Sequence, residues 1–173
     1  MDYKKYIRMI EDYPIPGIHF RDITTLVENG PVFHKAVKEL SEFARVVGAD
    51  VIVGPEARGF IIGTPIAYEL EVGFVPIRKP GKLPGAVVKS EYEKEYGTDV
   101  LEVHVGSIQP GSKVLIADDL LATGGTLKAM IELLKGLKAE IVGAAFLIDL
   151  VDLHAPDLLG DIPVKKLMDY EGD

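Results

Sequence analysis

No cysteine occurs among the 173 residues of this chain. A disulfide framework and a thiolate metal site are therefore excluded, and the composition fits a reducing compartment. No apolar run approaches the roughly 18 residues that a membrane-spanning helix needs. The opening residues, Met1-Asp2-Tyr3-Lys4-Lys5-Tyr6, lack the apolar segment of a signal peptide, so a cytoplasmic location is expected. Positive charge is also scarce. Nineteen Lys and Arg face 27 Asp and Glu, for a net charge of −8. That balance argues against a general nucleic-acid binder, which works by neutralising phosphates. Any polyanion must be met by a local basic patch. Neither a Gly-x-x-x-x-Gly-Lys-Ser/Thr loop nor a Gly-x-Gly-x-x-Gly fingerprint is present, which discounts a nucleotide-dependent kinase or GTPase. There is no internal repeat, low-complexity tract or evident domain boundary.

What the chain does contain is patterned. With 47% hydrophobic and 27% charged residues it reads as globular, and its length suits a single domain, 1–173, burying about two-thirds of its unfolded surface. Tyr6, Ile7 and Ile10 at helical spacing predict a short helix over 3–12, stopped by Pro14-Ile15-Pro16-Gly17. Residues 18–24 mix aromatic and charged side chains and read as irregular. A helix is expected from Pro31, with Phe33, Ala36, Val37, Leu40, Phe43, Ala44 and Val47 as its apolar stripe and Gly48 at its C-cap. Buried strands are expected at 50–54, 73–77, 114–117, 141–148 and 164–168. Helices between them run to Leu70 and through Leu127, Met130, Ile131, Leu134 and Leu137. Strands alternating with helices of ten or more residues imply the α/β class: a mostly parallel central sheet, built from right-handed βαβ units and flanked by helices.

Three places carry chemistry. In Val114-Leu115-Ile116-Ala117-Asp118-Asp119-Leu120-Leu121-Ala122-Thr123-Gly124-Gly125-Thr126, a buried strand meets two carboxylates, then a Gly-rich turn, then a helix. Backbone N–H groups at the glycines and the helix N-terminus suit a phosphate. The carboxylates repel a phosphate but accept protons from sugar hydroxyls. Arg58 follows the strand at 50–54, at the end where open α/β sheets bind ligands. Between Arg78 and Lys89 stand Arg78, Lys79, Lys82 and Lys89 with no acid among them, in a Pro/Gly-punctuated stretch that reads as an anion-binding mobile loop. Its arm 86–89 is expected to pair with 100–105 as a hairpin. Taken singly, each has a plainer reading: a structural corner, a surface arginine, a solvated hairpin.

The run Val114–Thr126 resembles the 5-phosphoribosyl-1-pyrophosphate (PRPP) motif of the type I phosphoribosyltransferase family, in the form carried by its adenine-using members. Four further blocks resemble that family and stand in family order: Pro16–Ile23, Gly54–Phe60, Arg78–Gly85 and Tyr92–Gly97. Together they cover about residues 13–150. The resemblance implies the type I fold, with a hood over about 1–30 for base recognition and a flexible basic hairpin loop over about 79–105. It implies a purine salvage enzyme that transfers the phosphoribosyl group of PRPP to adenine, giving AMP and pyrophosphate. Mg²⁺ would be the cofactor, held through PRPP oxygens and water rather than directly by protein, and the partners would be adenine, PRPP and a second copy in a homodimer, with neither nucleic acid nor membrane. Carried onto this sequence, Ala122, Thr123, Gly124, Gly125 and Thr126 hold the 5-phosphate, and Asp118 and Asp119 the ribose. Arg58, Lys79 and Lys82 hold pyrophosphate, and His19, Phe20 and Arg21 the adenine. Glu95 matches the family's catalytic glutamate and acts with Arg58, while Arg78 is a residue that a dimer interface could share. The alternatives are a phosphoribosyltransferase of another purine base and a PRPP-binding regulator of the same fold. One stretch departs. Where the family often carries a Gly-Arg-Glu-Lys-like sequence this chain has Leu153-His154-Ala155-Pro156-Asp157, which leaves the contacts of 152–163 open.

Overall fold

The computed structural model describes residues 1–93 and 98–171. A 3₁₀ turn (Tyr3–Tyr6) leads into two short strands, β1 (Arg8–Ile10) and β2 (Phe20–Asp22), which pair antiparallel apart from the main sheet. Of the helix expected over 3–12, only a 3₁₀ turn forms, and 8–10 are strand instead, with part of the segment read as irregular as their partner. Tertiary pairing overrides the local helical spacing here. Arg8 lies opposite Asp22 in register, and its guanidinium grips the Asp22 carboxylate from Nε at 3.0 Å and from Nη2.

Next come α1 (Thr24–Glu28), α2 (Gly30–Val46), β3 (Val51–Pro55), α3 (Arg58–Leu70) and β4 (Gly73–Ile77). Asn29 caps α2, its side chain accepting from the N–H of Val32 at 3.3 Å, and Pro31 stands in the first turn. A hairpin of β5 (Val87–Glu93) and β6 (Thr98–His104) follows, longer than the arm read from sequence. The chain ends through β7 (Lys113–Leu121), α4 (Gly125–Gly136), β8 (Glu140–Leu150) and β9 (Val164–Tyr170).

Five strands make the central parallel sheet, ordered β4-β3-β7-β8-β9. Successive side chains of a strand face opposite ways, and that alternation creates two cores. Ile52, Leu115, Ala117, Ala145 and Leu147 pack under α2 and α3. Val51, Val53, Val114, Ile116, Ala144 and Phe146 pack under α4 and the hairpin. Strand β7 outlasts its apolar run, because pairing with β8 continues at Asp118↔Phe146, Leu120↔Ile148 and Leu121↔Asp149. The two carboxylates thus lie within the strand rather than beyond its end. The order of strands reverses beside β3, which opens a crevice between the C-terminal ends of β3 and β7, where doubly wound sheets take ligands. Among the described residues no helix is long and apolar enough to cross a membrane.

Candidate active site

A cavity of about 430 Å³ occupies that crevice, bounded by residues 55–58 after β3, by 118–127 at the end of β7, and by Phe146. Close approach of the two strand ends requires glycine. A Cβ on Gly54 would stand 2.8 Å from the carbonyl oxygen of Ala117, and one on Gly59 would stand 3.1 Å from Oδ1 of Asp118. Between them the Glu56–Ala57 peptide is cis, and Arg58 opens α3.

At one end of the cavity, residues 122–126 turn from β7 into α4. Gly124 is the N-cap residue in the left-handed region, at φ +81°, a conformation costly for residues with a Cβ. The loop therefore offers backbone N–H groups and the positive end of the helix dipole to an anion. Thr123 and Thr126 are exposed beside it. One neighbour was not foreseen: Leu158, whose Cδ2 would lie 2.3 Å from a Cβ on Gly124.

The middle of the cavity holds Asp118 and Asp119. Arg58 reaches Asp119, with Nε 2.8 Å from Oδ2, and the Asp119 N–H donates to Oδ1 of Asp118 at 2.8 Å. Burial raises the pKa of both carboxyls. The Arg58 charge pulls Asp119 back down, whereas the Asp119 charge pushes Asp118 further up. Of the two, Asp118 is pushed up the further.

Arg58 also borders a second cavity, of about 520 Å³, which is lined by Phe20, Asp22, Ile23, Thr24, Val27, Glu28 and Ile61 as well. The guanidinium carbon of Arg58 lies 5.4 Å from the centre of the Phe20 ring, and Tyr13 meets that ring edge-on at 5.1 Å. Arg21 turns its side chain away from this cavity's lining and onto the Tyr170 ring, at 4.5 Å, with Lys4 over the same ring at 4.7 Å. His19 is exposed beside Phe20. The strand carrying these residues is pinned through Asp22, which accepts from the Thr24 N–H at 2.9 Å and the Thr24 hydroxyl at 2.7 Å. Burial alone would raise the Asp22 pKa, but these bonds and Arg8 outweigh it and hold the carboxyl below its usual range.

The basic segment is fastened by two glutamates that the motif reading did not single out for a role. Glu56 accepts from the Lys79 N–H at 2.7 Å and lies 3.3 Å from Nε of Arg78. Its pKa is lowered by that N–H first, and further by Arg78 and Lys82. Buried Glu102 accepts from Nζ of Lys89 at 3.0 Å and from the Gly81 N–H at 3.1 Å. A carboxylate between Leu101 and Val103, inside an otherwise apolar strand run, was the available signal. Lys79 borders a small cavity of about 210 Å³ shared with Glu56 and Thr126, next to the phosphate-type loop. Lys82 is exposed. Arg78 is engaged within the chain, with Glu56 and, at 5.8 Å, the Phe60 ring. Arg58, Asp118, Asp119, residues 122–126 and Lys79 are thus brought together, with Phe20 across Arg58. Glu95 lies outside the described residues.

A family model for the phosphoribosyl transferase domain matches residues 25–167. The adenine phosphoribosyltransferase of Brevibacillus brevis is 56% identical over 170 residues, covering 98% of this chain and 100% of that relative. The crystal structure of adenine phosphoribosyltransferase from Thermoanaerobacter pseudethanolicus is similar with a TM-score of 0.92 and 42% identity, over 98% of each chain. That of the Saccharomyces cerevisiae enzyme, complexed with D-2,5-dideoxy-2,5-imino-altritol 1,6-bisphosphate and adenine, aligns with a TM-score of 0.87 and 39% identity over 96% of each chain.

Proposed function

This chain belongs to the phosphoribosyl transferase family, and from that premise we propose that it transfers the 5-phosphoribosyl group of PRPP to N9 of adenine in purine salvage. The products are AMP and pyrophosphate. One observation carries the reading: a single crevice joins an anion-accepting helix N-terminus, a buried carboxylate pair and a guanidinium that also borders an apolar, Phe20-lined cavity. Those are the three chemistries of phosphate, ribose and base, set in the order in which a nucleotide joins them.

In the reaction the anomeric C–O bond to pyrophosphate breaks, a C–N bond to adenine forms on the opposite face, and N9 releases its proton. Positive charge builds on the ribose as the leaving group departs. Residues 122–126 hold the 5-phosphate, with Thr123 and Thr126 adding hydroxyls to the backbone N–H groups. Asp118 and Asp119 accept from the ribose hydroxyls and so fix the sugar against the leaving direction. Arg58 grips pyrophosphate, with Lys79 and Lys82 as further charges. Glu95 exchanges the adenine proton. Around Phe20, a backbone acceptor for the exocyclic amine and a backbone donor for N1, from the 19–21 segment, select adenine. A 6-oxo purine presents the reverse pattern and leaves groups unpaired.

Mg²⁺ fits this site as a companion of PRPP. No group of three or more His, Cys, Asp or Glu that could hold a metal ion exists among the described residues. The Asp118–Asp119 pair stands where outer-sphere contact through water is available, and Mg²⁺ keeps waters and prefers phosphate oxygens. When bound it neutralises charge on the departing pyrophosphate. A homodimer is in keeping with α3, which exposes Ile61 at 39% and Tyr68 at 85%, two turns apart on one side of the helix. A cytoplasmic location accords with the cysteine-free composition.

The test is nucleotide release with a panel of bases, with and without PRPP and Mg²⁺. Turnover of adenine alone is expected. Efficient turnover of hypoxanthine would overturn the adenine assignment while leaving the PRPP site intact. PRPP binding without turnover of any base would favour the regulator of the same fold.

A further inference from the structure

The crossover from β8 to β9, residues 151–163, holds the stretch that departs from the family pattern; it meets the phosphate loop at Leu158, and the strand end it leaves pairs with the strand end that feeds the loop. Leu158 fills the space over Gly124, and Asp149, at the end of β8, is the register partner of Leu121, the residue before Ala122. Beyond that contact Leu158, Leu159 and Ile162 pack into the core under α4.

His154 fastens the start of this crossover. Its Nε2 lies 2.7 Å from Oδ1 of Asp149, and its Nδ1 lies 3.1 Å from the carbonyl oxygen of Ala155. Both ring nitrogens meet oxygen acceptors, and only the imidazolium donates from both. Asp149 is 4% exposed and takes Nζ of Lys166 on its other oxygen at 2.7 Å. Lys166 in turn reaches Asp169 at 3.0 Å. The buried carboxylate is therefore partnered on both sides, by an imidazole and by an ammonium.

We propose that His154 is a positioning residue for the transfer reaction: as an imidazolium held by Asp149, it clamps the 151–163 crossover so that Leu158 braces Gly124 and the 122–126 loop is set for the 5-phosphate. The inference rests on reading 122–126 as the phosphate site. Asp149 and Lys166 are the charged groups that face the imidazole, the first favouring its proton and the second opposing it. Burial pulls the His154 pKa down, but the bonds to Asp149 and Ala155 outweigh it and leave the group above the ordinary imidazole value. The clamp is accordingly present at low pH and is lost as pH rises through the pKa in the folded protein.

Ribose 5-phosphate is the probe, titrated calorimetrically between pH 7 and 9, a range in which its phosphate is already close to doubly ionised. Wild-type affinity is expected to fall by about fivefold as pH rises, a change of about 1 kcal/mol. His154→Ala should bind weakly throughout. His154→Lys, whose charge does not titrate until higher pH, should bind tightly with no such fall. KM for PRPP should follow the same three patterns with kcat little changed, a split that general destabilisation would not produce. Wild-type-like, pH-dependent binding by either variant overturns the proposal. Should His154→Ala fail to fold, the wild type and His154→Lys decide between them. If the wild type binds no ribose 5-phosphate at any pH, the phosphate-site reading itself fails and takes the inference with it.

Discussion

Nε of Arg58 lies 2.8 Å from Oδ2 of Asp119, yet that buried oxygen has no hydrogen-bond partner among the described residues. The two are close enough to neutralise each other but too misaligned to bond. A buried acceptor left without a donor is costly, and here it faces a cavity. On the proposed reading a ribose hydroxyl would be that donor, and the half-exposed guanidinium would remain free to meet a leaving phosphate. The pair explains why the site tolerates two adjacent buried acids: one arginine offsets their charge from the side.

Arg58→Lys keeps the charge but loses the planar fork and the stacking over Phe20. A bond to a charged group contributes about 1.5–3 kcal/mol, so kcat/KM at limiting PRPP should fall by about 10- to 150-fold. Initial rates across PRPP concentrations measure it. Full activity of the variant would remove Arg58 from pyrophosphate binding.

The Asp118–Asp119 pair gives a pH dependence of definite sign. Burial and the Asp119 charge raise the Asp118 pKa, so protonation with falling pH removes an acceptor and PRPP affinity should drop on the acid side. Asp118→Asn should bind PRPP weakly at every pH. An acid with a raised pKa costs folding stability once pH exceeds its unfolded value of about 3.9. The variant's melting temperature at pH 7 should therefore equal or exceed that of the wild type. A loss of stability matching the loss of binding would mean a folding role instead.

Gly124 and Gly125 are adjacent but not equivalent. A Cβ at Gly124 meets the side chain of Leu158 and a φ of +81°, while one at Gly125 has nothing within 4 Å. Gly124→Ala should cost about 1–2 kcal/mol in left-handed strain alone, lowering the melting temperature by roughly 2–8 °C. Gly125→Ala should leave it nearly unchanged. Differential scanning calorimetry on the two variants checks the contrast.

Glu95→Gln removes the proposed proton acceptor without changing shape. Turnover at saturating substrates should fall by about 10²–10⁴-fold, the usual contribution of such a group, with little change in PRPP affinity. Glu93→Gln, two residues earlier, should do little. Steady-state kinetics of both variants separate the roles, and unchanged turnover in Glu95→Gln would leave Arg58 and the phosphate loop as the main sources of rate.

The sequence by itself determined the parallel sheet and the Gly-rich turn into α4. A strand covered on both faces must be apolar at every position, so Val114–Ala117 and Ile141–Ile148 declare themselves in a short window. Strand, acids, glycines and helix start follow one another without a gap between 114 and 126, and local order was enough to read them. The tertiary structure decided the partnerships. The order β4-β3-β7-β8-β9 sets Arg58 beside Asp119, and pairing with Asp22 turns 8–10 from the expected helix into strand. The hairpin register carries Glu102 to Lys89, and the last crossover carries His154 to Asp149. Periodicity reports how deeply each residue is buried, because burial is a property of one position in its own element. A charge's partner is a property of two positions and of every element between them, and only the folded chain specifies it.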